Sequence, residues 1–117
     1  LCDSKTVEYI CKEIGITYSN LTNGATMLDG EERLGFSIFD INKGFAVIRW
    51  LEPINDIPLA DGMLRSTIHI ALEQQCASVY YEDTAPETLF EKLGFILNKQ
   101  SKQLNTHKLF ESCCDCK

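Results

Sequence analysis

The densest group of chemistry-bearing side chains is the C-terminal run Cys113-Cys114-Asp115-Cys116. Three thiolates this close together can supply ligands to zinc or to copper(I), with His107 or another cysteine completing the set. The run lacks the paired C-x₂-C spacing of a structural zinc site. The competing reading is therefore a mobile tail of free thiols in a reducing cell. Carboxylates form the second group. Glu52, Glu82 and Asp83 stand at the ends of apolar, β-prone runs, where a carboxylate can act as a general base. The plainer reading is that these are solvated strand ends, with Asp83 capping a helix. His69 and His107 stand alone, with no nucleophile-and-base set around either, and read as surface residues. Trp50, Met27 and Met63 read as core.

The elements that must position these groups centre on the stretch from Pro58 to Phe95. Leu64, Ile68, Ala71 and Leu72 recur at helical spacing, which predicts a helix near Asp61–Cys76 with Asp61 and Gly62 at its start. Ala77-Ser78-Val79-Tyr80-Tyr81 follows as a short strand. Asp83 or Thr84 then opens a second helix near Pro86–Leu93, with Leu89, Phe90 and Leu93 on its buried face and Gly94 as its stop. A helix–strand–helix of this length needs a sheet to lie on.

The sheet is supplied upstream. Asp3 to Ile14 reads as a helix ended by Gly15, and Thr17 to Gly24 as a loop. Ala25-Thr26-Met27-Leu28 is a strand that turns at Asp29-Gly30. In Arg33–Phe39, Leu34, Phe36 and Ile38 alternate with Arg33, Gly35 and Ser37, which predicts one buried face. Phe45–Leu51 is nearly continuous in apolar residues and belongs in the middle of the sheet, beside and parallel to Ala77–Tyr81, with a right-handed helical crossover between them. Pro53 and Pro58 close it off. Phe95-Ile96-Leu97 begins another strand, Asn98 to Gln103 is a turn, and Leu104 to Phe110 returns as a short partner. The expectation is an α/β (α+β) fold, a mixed and mostly antiparallel sheet with helices packed on it. Residues 1–110 form one domain and residues 111–117 a Cys-rich, mobile tail.

Composition narrows the function. The chain has 117 residues, 44% of them hydrophobic, enough for one modest core. With 11 basic and 17 acidic residues the net charge is −6, which disfavours nucleic acid and anionic membrane surfaces as partners. No apolar run approaches the roughly 20 residues that cross a bilayer. Six cysteines allow a disulfide framework. An apolar core, the lack of a visible secretion signal and the adjacent Cys113-Cys114 pair point instead to a reducing cytoplasm.

The order of elements from Ala25 to Phe110 resembles that of the GNAT superfamily of acyl-CoA-dependent N-acetyltransferases. Asp29-Gly30-Glu31-Glu32-Arg33-Leu34-Gly35-Phe36 is similar to its second-to-third strand hairpin, and Trp50-Leu51-Glu52-Pro53 to the end of its fourth strand. Thr88-Leu89-Phe90-Glu91-Lys92-Leu93-Gly94-Phe95 resembles its tail motif, L-Y-x-K-x-G-F. The resemblance implies a GNAT-like sheet shortened at the N-terminus, acetyl-CoA or CoA as cofactor, a small-molecule or protein amine as acceptor, and room for a homodimer. Glu52 and Glu82 would then be the general bases. The CoA pyrophosphate would lie on the backbone of Ala60, Asp61, Gly62, Met63 and Leu64, beside Leu51 at the strand end.

Several residues depart from that pattern. Leu59 stands where the family has Gln or Arg, and Leu64 where it has a second small residue. Asp61 brings a negative charge towards a pyrophosphate. Phe90 stands where the family commonly has a proton-donating tyrosine. Two functions follow: a reduced N-acyltransferase of unspecified acceptor, or a non-catalytic domain of the same fold that binds a ligand, a metal or another protein.

Overall fold

The computed structural model describes residues 3–109. Helix α1 (Ser4–Ile14) starts where Asp3 Oδ1 accepts the Thr6 N–H at 2.8 Å and stops at Gly15, whose φ of 76° is left-handed. Strands β1 (Thr22–Asp29), β2 (Glu32–Asn42) and β3 (Phe45–Glu52) follow, then helix α2 (Ile57–Glu73), β4 (Ser78–Tyr81), α3 (Glu87–Lys92), β5 (Ile96–Asn98) and β6 (Gln103–Leu104). The strands form one sheet in the order β1-β2-β3-β4-β6-β5. Only β3 and β4 are parallel; every other pairing is antiparallel. The expected mixed, mostly antiparallel sheet is present, with β3 and β4 as neighbours joined through α2. No described helix is long and apolar enough to cross a membrane.

Two apolar clusters hold the layers. Val7, Ile10 and Cys11 of α1 pack with Phe36, Ile38 and Trp50. Ala60, Met63, Leu64, Ile68 and Ala71 of α2 pack with Phe39, Ile48, Leu51, Val79 and Phe90. The sheet is therefore covered on both sides, and this corrects the reading of β2 as a strand with one buried face. Gly35 through Phe39 are all buried, while Leu34 is 36% exposed. The small polar Ser37 lies under α2, its Oγ 2.6 Å from Thr67 Oγ1. Thr67 donates its own proton to the Met63 carbonyl at 2.8 Å, so Ser37 supplies the hydrogen between the two hydroxyls. Alternation of apolar and small residues reads as half-buried because small polar residues count as surface in sequence; a paired hydroxyl lets them lie inside.

Two boundaries also move. The strand expected from Ala25 starts at Thr22, so Asn23-Gly24 is strand and not loop. A Cβ on Gly24 would sit 3.0 Å from Val7 Cγ2, so the glycine marks where α1 presses on the sheet and not a turn. The expected return strand Leu104 to Phe110 shortens to Gln103–Leu104, after which Asn105 Oδ1 accepts the His107 N–H at 3.1 Å in a turn. Phe110 and the tail lie outside the described residues.

Candidate functional site

The parallel pairing of β3 with β4 ends at Ile48↔Tyr81, sealed by the Glu82 N–H to the Ile48 carbonyl at 3.0 Å. Beyond that rung β3 continues to Glu52 while the segment after β4 leaves. A bulge makes the departure: Ile38 pairs with Trp50 and Phe39 with Ile48, leaving Arg49 without a partner across the strand pair. A bulge re-aims the side chains that follow it, so Leu51 joins the α2 core while Trp50 faces the α1 core. Thr84 Oγ1 donates to the Arg49 carbonyl at 2.6 Å and ties the departing segment to the bulge. The wedge between the strands holds a cleft of about 410 Å³, lined by Trp50, Leu51, Glu52, Pro53, Thr84 and Pro86 among others.

Within the cleft the indole Nε1–H of Trp50 donates to Glu52 Oε1 at 2.9 Å. One carboxylate oxygen is thus pinned beside an aromatic ring in a lining that is mainly apolar, with Asn55 and Thr84 as its other polar residues. The end of β3 can reach this position because Gly35 faces it. A Cβ on Gly35 would sit 2.7 Å from the Glu52 carbonyl oxygen and 3.0 Å from Pro53 Cδ. Sequence reasoning missed Gly35, Arg49 and Thr84 as parts of the site. A glycine inside a strand was the one usable signal, since it marks a close backbone approach.

The other candidate carboxylates go elsewhere. Glu82 Oε2 is 3.3 Å from Arg49 Nε, and the same guanidinium donates to the Thr17 carbonyl at 2.6 Å and stands 3.7 Å from Asp40. Glu82 is therefore engaged by Arg49 and is not among the residues lining the cleft. Asp83 pairs with Lys102, which holds the Lys102 ammonium above its ordinary pKa through that hydrogen bond and the carboxylate charge. Glu52 and Glu82 do not converge on one cavity. His69 is an exposed partner of Glu73 at 3.5 Å. Cys113, Cys114 and Cys116 lie outside the described residues, and among the described residues no group of three or more potential ligands could hold a metal.

Helix α2 begins at Ile57, not near Asp61, because Asp56 is its cap and Pro58 occupies its first turn. This corrects the placing of free backbone donors at Ala60, Asp61, Gly62, Met63 and Leu64. All five are inside the helix; Ala60 donates to the Asp56 carbonyl at 2.8 Å. Ala60, Met63 and Leu64 are buried, and Asp61 accepts from Arg65 Nε at 2.9 Å. The true first turn offers a pyrophosphate little. Pro58 has no N–H, the Leu59 N–H is taken by Asp56 Oδ1 at 3.2 Å, and the cap itself is negative. The residues at this end of α2 do not fit the phosphates of CoA.

Gly62 stands instead in the helix interior beside Met27. A Cβ there would meet only the flexible end of Met27, at 3.3 Å from Cε. Gly62→Ala is expected to raise stability by about 0.5–1 kcal/mol, the usual cost of a helical glycine. Thermal denaturation measures it. A clear loss would mean that the close approach matters after all.

Phe90, the residue at the family's tyrosine position, is fully buried and meets Tyr81 edge-on, with ring centroids 5.5 Å apart. The Tyr81 hydroxyl donates to Glu87 Oε2 at 2.7 Å. Burial first, and then the bond to Glu87, push its pKa up from 10 to about 12. The unfolded chain releases this proton first. The stability contributed is therefore whole below pH 10 and is lost as pH rises to about 12. Tyr81→Phe should remove that part of the alkaline loss in a pH series of chemical denaturation curves.

No protein-family model and no curated protein sequence matches the chain. Solved structures do. The crystal structure of Tetrahymena GCN5 superposes with a TM-score of 0.52 at 13% identity, covering 86% of this chain and 78% of that one. An acetyltransferase from Bacillus cereus gives a TM-score of 0.48 at 15% identity, covering 79% and 78%. Both neighbours are GNAT acetyltransferases. At such identities the match to GCN5 speaks for the fold: the chain has the GNAT fold, as its tail motif and strand order implied.

Proposed function

We propose that this chain is a GNAT-fold domain that binds a small amine-bearing ligand in the wedge between β3 and β4 without transferring an acyl group. The observation that carries the reading is the cleft itself: the Glu52 carboxylate held by the Trp50 indole N–H in a mainly apolar lining, with no Lys or Arg among the lining residues. A carboxylate in a mainly apolar cleft favours a cation. Acyl transfer would also need a proton donor for the leaving thiolate, and Phe90 is an apolar core residue.

The N-acyltransferase reading keeps one specific support, since Glu52 stands at the end of β3 where a base for an acceptor amine would be needed. The two readings part in one experiment. Trp50 is the chain's single tryptophan, so its emission reports on the cleft. Titration with n-butylammonium is expected to shift that emission saturably in the wild type and not in Glu52→Gln. Mass spectrometry of the amine after incubation with acetyl-CoA should find no acetylated product. Glu52-dependent acetylation would replace the binding reading with the enzymatic one.

A further inference from the structure

We infer that Asp56 and Pro58 are selectivity determinants that close the N-terminus of α2 to phosphate groups, so that the wedge takes ligands without a phosphate. The inference rests on the wedge being the ligand site.

A helix start carries free N–H groups and a partial positive charge, which make it a ready place for an anion. Here α2 begins at the far end of the short link that leaves the cleft through Pro53 and Ile54. A ligand lying along β3 would therefore bring any phosphate it carried towards this turn. Most of the features that would receive it are taken away by Asp56 and Pro58. Asp56 Oδ1 occupies the Leu59 N–H at 3.2 Å, and its charge opposes the partial positive charge of the helix start. Pro58 deletes one donor outright. The Ala60 N–H is already in the helical ladder, bonded to the Asp56 carbonyl at 2.8 Å. Ile57, Pro58, Leu59 and Ala60 supply neither a basic side chain to pair with a phosphate nor a glycine to let one close to the backbone.

The two residues are suited to their positions for stability as well. Asp at the cap and Pro in the first turn both favour the helix. Their removal separates this structural role from the selective one, because a cap exchanged for glycine costs a helix little stability.

The test uses the full chain and two probes, inorganic pyrophosphate and acetyl-CoA, titrated by calorimetry. The wild type is expected to bind neither in the micromolar range. The double variant Asp56→Gly/Pro58→Ala frees the Leu59 N–H, restores one at position 58 and removes the charge. It should bind pyrophosphate at least about tenfold more tightly than the wild type, the scale of one or two charge-assisted hydrogen bonds. Asp56→Asn/Pro58→Ala keeps the cap but loses the charge, and should fall between. Circular dichroism melting curves establish that each variant is folded. Pyrophosphate or acetyl-CoA binding by the wild type that these substitutions leave unchanged or weaken would overturn the inference, as would folded variants that gain nothing. A gain in pyrophosphate affinity together with no Trp50 response to n-butylammonium would uphold the closure at α2 and remove the amine reading of the cleft.

Discussion

Gly35→Ala is expected to cost about 3 kcal/mol or more and to lower the melting temperature by roughly 10 °C. The added methyl would stand 2.7 Å from the Glu52 carbonyl oxygen, a backbone atom that cannot swing aside like a side-chain end. Either β2 or the end of β3 has to move. Since Trp50 and Glu52 both belong to that end, the same substitution should shift the Trp50 emission of the folded protein. Calorimetric melting and a fluorescence spectrum of the native protein are the measurements. A variant with wild-type melting and an unchanged spectrum would show that β3 does not need this approach. Gly35→Ala and Gly62→Ala should act with opposite sign, because one glycine faces a carbonyl and the other a flexible methyl.

Phe90→Ala is expected to cost about 3–5 kcal/mol, the range for a fully buried aromatic side chain. It would remove the edge-on contact with Tyr81 and leave a cavity beneath α3. Phe90→Tyr bears on the chemistry. If the fold had kept a proton-transfer position, restoring the hydroxyl would be tolerated and would raise acetyl transfer. In a core with no exposure the new hydroxyl instead needs a partner, and going without one costs about 1–3 kcal/mol. The expected result is a lower melting temperature and no acetyl transfer from acetyl-CoA to amines. A stable Phe90→Tyr variant with new transferase activity would contradict it.

Much of the architecture was legible because strong local signals agreed with one another. Asp3 and Gly15 bracket α1, the continuous apolar run of Phe45–Leu51 becomes the central β3, and Gly94 ends the segment after α3 with a φ of 78°. The errors fell where one residue type serves two purposes. Pro58 closes a strand on paper but sits in a helix's first turn, and Asp61-Gly62 looks like a helix start although Asp56 had already capped it. Gly24 punctuates a loop in sequence and makes room for Val7 in the structure.

The site was legible only in part. Glu52 lines the cleft, whereas Glu82, equally acidic and equally terminal, is drawn to Arg49. Nothing local distinguishes the two. The difference comes from the bulge at Arg49, a property of the β2–β3 register that no single stretch carries.

The separation of the core into two clusters has a consequence for how the molecule breathes. Cys11 is buried with α1 on one side of the sheet and Cys76 with the α2 cluster on the other, each with its thiol pKa raised by burial. Neither can meet an alkylating reagent until its own layer lifts away. The rate at which each becomes modified, read peptide by peptide, is therefore a separate clock for one side of the sheet. Undocking of α1 would expose Cys11 while leaving Cys76 protected, so the two helical layers can be timed independently in the unaltered chain.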